Sequence, residues 1–249
     1  MDQAIIDYAS YRWHQICNPF SWDQLSRTLA YADLKPGDRA VDLGCGNAVV
    51  AAWMAERYGL DLTGVERHPA MADLARQTAA RPRSQGQVTI VDGAAQDYLA
   101  GAGEHRLVSL MGAMDLLPGL QRPVDIMTAL LPSIAPGGWL IWGDPFWKVP
   151  PGPRLTAAFG RERFDTLAGW VAQGEAAGLV PHHVAVSADA EWEEFVWRMN
   201  ASLEAWAEEH AGTQDSAIIR QLAAGTRALY LEEGRESAGF GLYLFRRPA

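Results

Sequence analysis

The chain has 249 residues, 49% hydrophobic, 20% charged and 10% aromatic, a balance that supports a packed core and excludes a disordered polyelectrolyte. Thirty acidic against 21 basic residues give a net charge of −9, the wrong sign for attraction to a phosphate backbone or an anionic membrane. The longest strictly apolar runs, such as residues 48–55, are far shorter than the roughly 20 residues that cross a bilayer, so neither nucleic acid nor membrane is the expected partner.

The chain opens on Met1-Asp2-Gln3, without the basic start and apolar stretch of a secretory signal, and has two cysteines, Cys17 and Cys45. A reducing, cytoplasmic setting without a structural disulfide is expected. Residues 3–16 and 21–32 read as helices, broken by Asn18-Pro19-Phe20-Ser21 with Ser21 as N-cap. Lys35-Pro36-Gly37-Asp38 then reads as a β-turn. Strands are predicted at 39–43, 61–66, 88–91, 107–111 and 139–143, with helices at 49–58, 71–81 and 123–134 between them, the last stopped by Ala135-Pro136-Gly137-Gly138. That alternation is the pattern of β-α units on a parallel sheet. A proline-rich link follows, then a helix at 164–177, a strand at 181–187, two amphipathic helices within 191–231 and a last strand at 240–245. One domain is expected over residues 1–249, with an N-terminal helical cap (1–34) and a helical insertion (188–236).

The sharpest feature is Ala40-Val41-Asp42-Leu43-Gly44-Cys45-Gly46-Asn47-Ala48-Val49, an apolar strand running through an acidic residue into glycines ahead of a helix. Glycines there let the backbone approach a ligand and take positive φ. A second strand, Leu62-Thr63-Gly64-Val65-Glu66, ends in a carboxylate 20 residues after Gly46, the spacing that grips two ribose hydroxyls. Together these residues read as a nucleoside site, although Gly-x-Gly alone equally marks a tight connection. A dinucleotide fingerprint would place glycine at position 49; Val49 argues against a pyrophosphate.

Over residues 36–147 these motifs resemble the class I S-adenosylmethionine-dependent methyltransferases. Val41-Asp42-Leu43-Gly44-Cys45-Gly46 is similar to their first motif, Gly64-Val65-Glu66 to the acidic end of their second strand, and Ala135-Pro136-Gly137-Gly138 to their turn into strand five. The resemblance implies a Rossmann-like α/β fold with a seven-stranded, mostly parallel sheet whose last strand is antiparallel. It implies S-adenosyl-L-methionine as cofactor, with Gly44, Cys45, Gly46 and Asn47 near its methionine part, Glu66 on the ribose and Asp92, Gly93, Ala94 and Ala95 near adenine. Asp42, Arg67 and Met111 complete that set. His14 with Asn18-Pro19-Phe20, Gly143-Asp144-Pro145-Phe146-Trp147 after strand five, and the tryptophan-bearing insertion resemble a group of small-molecule-type members of largely unassigned substrate.

Three positions depart from the family pattern. Ala48 replaces the usual third glycine, a change that costs little where φ is negative. Ala94 replaces an acidic partner for the adenine amino group, and Arg106 an aspartate that often opens strand four.

Methyl transfer from a sulfonium requires in-line positioning and exclusion of water, with no metal. The substrate wall is expected from Met114, Asp144, Phe146 and Trp147. His14, whose unperturbed pKa of roughly 6.5 suits a base, is the first catalytic candidate, with Tyr11 on the same face and Asp115 as an orienter of an amine. Each also reads as structural: His14 on an amphipathic helix, Asp115 as an N-cap, Phe146 and Trp147 as packing. Cys45 reads as a small residue at a crowded turn. His182 and His183, adjacent on a strand, point to opposite faces and argue against zinc. A non-catalytic adenosylmethionine- or nucleoside-binding protein on the same fold is the alternative; an oxidoreductase and an RNA methyltransferase stand further off. The acceptor molecule and atom are open, as is the cap's role in covering the pocket or forming a homodimer.

Overall fold

Ala40, Val41 and Leu43 are all buried, and a strand that is apolar on both faces belongs inside a parallel sheet covered by helices. In the computed structural model, which describes residues 1–160 and 163–249, that strand is an inner member of a seven-stranded sheet. The elements run α1 (Gln3–Tyr11), α2 (Trp22–Leu29), β1 (Arg39–Leu43), α3 (Val49–Tyr58), β2 (Asp61–Glu66), α4 (Pro69–Ala79), β3 (Gln87–Asp92), α5 (Ala95–Leu99) and β4 (His105–Met111). They continue with α6 (Pro123–Leu130), β5 (Ile134–Trp147), α7 (Pro153–Phe159), α8 (Leu167–Ala176), β6 (Val180–Val186), α9 (Asp189–Glu209), α10 (Gln214–Leu229), a π-helical turn (Tyr230–Gly234), α11 (Arg235–Ser237) and β7 (Ala238–Arg246). The strand order is β3-β2-β1-β4-β5-β7-β6, parallel through β5, with β7 antiparallel to both neighbours. This is the Rossmann-like sheet with an antiparallel last strand that the motifs imply.

Each face of the sheet has its own core. Leu25 and Leu29 of α2 and Met54 of α3 pack with Trp139, Ile141 and Phe240 on one side. Ile126 and Met127 of α6 and Trp170 of α8 pack with Trp142 and Tyr243 on the other. A third, smaller cluster joins Ala9 of α1 to Leu203 and Trp206 of α9 and Ile219 of α10, so the first and last helical segments form one body above the sheet. Among the described residues no helix is long and apolar enough to cross a membrane.

Several boundaries differ from the sequence reading, each for a local reason. The first helix stops at Tyr11 rather than 16, because Asn47 draws the His14 carbonyl to itself (Nδ2 to O, 2.6 Å). The second runs over Trp22–Leu29, with Ser21 accepting from the Gln24 amide as N-cap. The helix predicted to 134 ends at Leu130; a 3-10 turn around Pro132 follows, and Ile134 already pairs with His105. The Ala135–Gly138 stop is thus an irregularity inside a long β5, where Gly137 takes φ +70°. Because β5 pairs with β7 as far as Trp147 opposite Ala238, Asp144, Phe146 and Trp147 lie within strand five, not after it. In β6 a register shift between Pro181 and His183 breaks the alternation expected of the adjacent histidines. The His182 ring meets Trp139 and the His183 ring stacks on Tyr31, both at 4.8 Å.

Candidate active site

The chain leaves β1 toward β2 on one side and returns to β4 on the other, and such a reversal opens a crevice at the carboxyl ends of the two strands. Gly44-Cys45-Gly46-Asn47 enters that crevice. Gly44 and Gly46 have φ of +73° and +56°, values a side chain adopts only with strain. Ala48 shares them, at φ +56°. The condition under which this alanine would cost little is therefore not met, and it carries left-handed strain that glycine would relieve. The Gly44 and Cys45 amides both donate to the Val65 carbonyl, at 2.9 and 3.1 Å, which locks the turn against β2. Cys45 is buried and lies over Gly64, where an added Cβ would stand 2.8 Å from its sulfur. Burial pushes the Cys45 thiol well above its usual range, which leaves it a packing residue and no nucleophile. Cys17 and Cys45 are both free thiols.

Glu66 closes the turn from the tip of β2. Its Oε2 accepts from the Gly46 amide and its Oε1 from the His68 amide, both at 2.9 Å. Each oxygen keeps capacity for a further donor. Burial raises the Glu66 carboxyl against the opposing pull of those amides. Asp42 lies beneath, accepting from Ser109 Oγ at 2.7 Å, and burial pushes its carboxyl up to about 7.

The N-terminal segment covers the crevice. Asn18 donates from Nδ2 to the Met111 carbonyl at 3.3 Å. It lies so close to Gly112, at φ +69°, that a Cβ there would be 2.3 Å from Asn18 Oδ1. From α1, Asp7 Oδ2 meets His68 Nε2 at 3.0 Å. The result is a cavity of about 800 Å³. Its near wall is the glycine turn with Glu66, Arg67 and Met71; its far wall is Met111 to Leu116 with Asp144 and Trp147; Tyr11, Trp192, Phe195 and Tyr230 also line it.

Most of the predicted residues therefore converge: Asp42, Gly44, Cys45, Gly46, Asn47, Glu66, Arg67 and Met111, with Tyr11, Met114, Asp115, Asp144 and Trp147. Among the described residues six others do not line the cavity. His14 stands behind Tyr11, its ring centroid 5.7 Å away. Its Nε2 lies 3.1 Å from the Phe195 carbonyl, an acceptor, so that nitrogen carries the proton; burial lowers its pKa. Asp92 is exposed and pairs with Arg76 at 3.4 Å; Gly93 donates its amide to the Glu66 carbonyl at 2.9 Å. Ala94 caps α5, Ala95 packs into the core and Phe146 fills the space over Gly239. Asp115 is mostly exposed, in a 3-10 turn, and pairs with Arg163 Nη1 at 3.1 Å.

Sequence reasoning missed Cys17, Arg163, Phe195 and Tyr230 as lining residues. The signal for part of this set is the helical spacing of Trp192, Phe195 and Met199, an apolar stripe on α9. Asp144 is only 3% exposed, yet its Oδ2 has no hydrogen-bond partner among the described residues. The same holds for Trp192 Nε1 and Tyr230 Oη. Burial holds the Asp144 carboxyl well above the usual carboxylate range.

Residues 40–138 match the family model described as a methyltransferase domain. Over nearly its whole length the chain is similar to the uncharacterized protein YjhP of Escherichia coli, 23% identical over 234 residues that cover 92% of this chain and 93% of that protein. The X-ray structure of YjhP superposes with a TM-score of 0.86 at 22% identity, covering 96% and 98% of the two chains. A methyltransferase from Thiobacillus denitrificans, crystallised in complex with S-adenosyl-L-homocysteine, superposes at 0.84 and 22% identity, covering 98% and 99%. The match to the methyltransferase-domain model spans residues 40–138, and the whole chain shares the fold of these structures.

Proposed function

We propose that the protein methylates a small organic acceptor held between β5 and the aromatic residues of the α9–α10 segment. The observation that carries this reading is Glu66: a buried carboxylate fixed by two backbone amides, with lone pairs left over, at the rim of a cavity that also receives the glycine turn. Those residues fit the cofactor. Glu66 would hold the ribose hydroxyls, and Gly44, Cys45, Gly46 and Asn47 would contact the methionine part. Arg67 and Met71 would flank the nucleoside in place of residues 92–95, which lie outside the cavity. When bound, S-adenosylmethionine supplies an electrophilic methyl group that passes in line to the acceptor, leaving S-adenosylhomocysteine. The chain's own contribution is orientation and dryness: Tyr11, Trp147, Trp192 and Phe195 line the space with apolar surface that excludes water.

A second reading, a binding protein without turnover, is favoured by one observation: the Asp92–Ala95 turn expected beside adenine is not in the cavity wall. Calorimetry with S-adenosylmethionine and S-adenosylhomocysteine tests the first step, and release of S-adenosylhomocysteine across a metabolite panel tests the second. Binding with turnover of at least one acceptor is expected. Absence of binding by folded protein overturns both readings, and binding without turnover selects the second.

A further inference from the structure

The carboxylates that line the cavity are not equivalent. Asp7 meets His68 at 3.0 Å, Asp42 accepts from Ser109 at 2.7 Å, Glu66 accepts from two amides at 2.9 Å, and Asp115 meets Arg163 at 3.1 Å. Asp144 alone among them has a buried oxygen with no partner among the described residues. Arg163, whose charge reaches Asp144, is already bonded to Asp115. The fold does not need a carboxylate there, since Trp142 and Phe146, two positions either way on the same face of β5, are both buried in the core. An unpaired charge there is costly, so burial holds the carboxyl toward its neutral acid until a ligand brings the positive charge that ionises it.

Aromatic surface shares this cavity. Trp192 and Phe195 of α9 lie edge to face at 6.1 Å, and Tyr230 stacks on Trp192 at 6.4 Å. The faces of such rings attract cations, most strongly where water is excluded. We propose that the acceptor is an organic amine, bound in its ammonium form by Asp144 and enclosed by Trp192, Phe195 and Tyr230. This identification of the acceptor rests on the methyl-transfer reading above. A neutral alcohol would hydrogen-bond to the carboxyl without ionising it, and an anion would oppose its ionisation. The unpartnered donors Trp192 Nε1 and Tyr230 Oη suit an oxygen carried elsewhere on the amine. Asp144 is also placed to receive the proton that the ammonium sheds before its lone pair is free to react.

The test is calorimetry on the full chain loaded with S-adenosylhomocysteine, using 2-phenylethylamine, 2-phenylethanol and phenylacetate, probes of one shape and three charges. The amine should bind at least about tenfold more tightly than the alcohol, and phenylacetate not at all. In Asp144→Asn the amine's advantage should fall below about threefold, with the affinity for S-adenosylhomocysteine unchanged within the same margin. The proposal is overturned if the alcohol or phenylacetate binds as well as the amine, if none of the three binds, or if the variant keeps the preference. Loss of S-adenosylhomocysteine affinity in the variant also overturns it, since Asp144 would then belong to the cofactor. The preference of the natural chain decides the matter even where the variant fails to fold. Failure of S-adenosylhomocysteine to bind the natural chain appears in the preceding titration and is a failure of the methyl-transfer reading itself.

Discussion

The two halves of the cavity are built differently. On the β1–β2 side the polar groups are answered from within: Glu66 by the Gly46 and His68 amides, Asp42 by Ser109, the Gly44 and Cys45 amides by the Val65 carbonyl. On the side of β5 and α9, Asp144, Trp192 and Tyr230 keep buried atoms unanswered by any of the described residues. The first half is a preformed cradle, whose shape is set before any ligand arrives. The second holds its polar groups in reserve for a molecule that the chain does not contain.

The largest effect expected from breaking this contrast concerns Asp42 on the answered side. Its folded pKa of about 7 lies above the ordinary 3.8, so the folded state holds a proton that the unfolded state has already lost. Stability from this group is complete below about pH 4 and falls by a few kcal/mol as pH rises through about 7. Asp42→Asn should abolish that slope, so the variant gains on the natural chain between pH 5 and 8 in urea unfolding; parallel curves would show that Asp42 is ionised throughout. Next, Glu66→Ala should weaken S-adenosylhomocysteine binding by about 1.5–3 kcal/mol, roughly 10- to 150-fold, measured by calorimetry, because it removes the sugar's partner and the tether of the turn. An unchanged affinity would move the sugar elsewhere.

Two smaller changes sharpen the same picture. Gly112→Ala places a Cβ 2.3 Å from Asn18 Oδ1 at φ +69° and should cost about 1–2 kcal/mol of stability, read as a lower Tm, with the N-terminal segment loosened over the cavity. Ala48→Gly should do the opposite. It relieves the left-handed strain at φ +56° and should stabilise by under about 1 kcal/mol, the gain being reduced by glycine's greater freedom in the unfolded chain. A loss of stability would mean that the methyl group of Ala48 packs to more advantage than its backbone costs.

What was legible in the sequence follows the same division. β1, α3 and β2 could be read to the residue, and the glycine turn with Glu66 could be read as a unit, because a strand, a turn and a spaced carboxylate are local patterns. The positive φ of Ala48 was not legible, since nothing local distinguishes an alanine that the fold forces into the left-handed region. Asp144 could be named but not its isolation, which depends on Arg163 being taken by Asp115 across a separate loop. Tyr230 meets Trp192 only through the folding of α10 back onto α9. Residues 92–95 could be named from the family pattern by their place in sequence, whereas the cavity is lined on that side by Arg67 and Met71.

The most direct test of the central claim is a crystal structure of the full chain with S-adenosylhomocysteine. The account requires both ribose hydroxyls within hydrogen-bonding reach of Glu66 and the amino-acid end beside the turn from Gly44 to Asn47. A nucleoside bound away from Glu66, or a crevice closed by side chains with the compound absent, would contradict it.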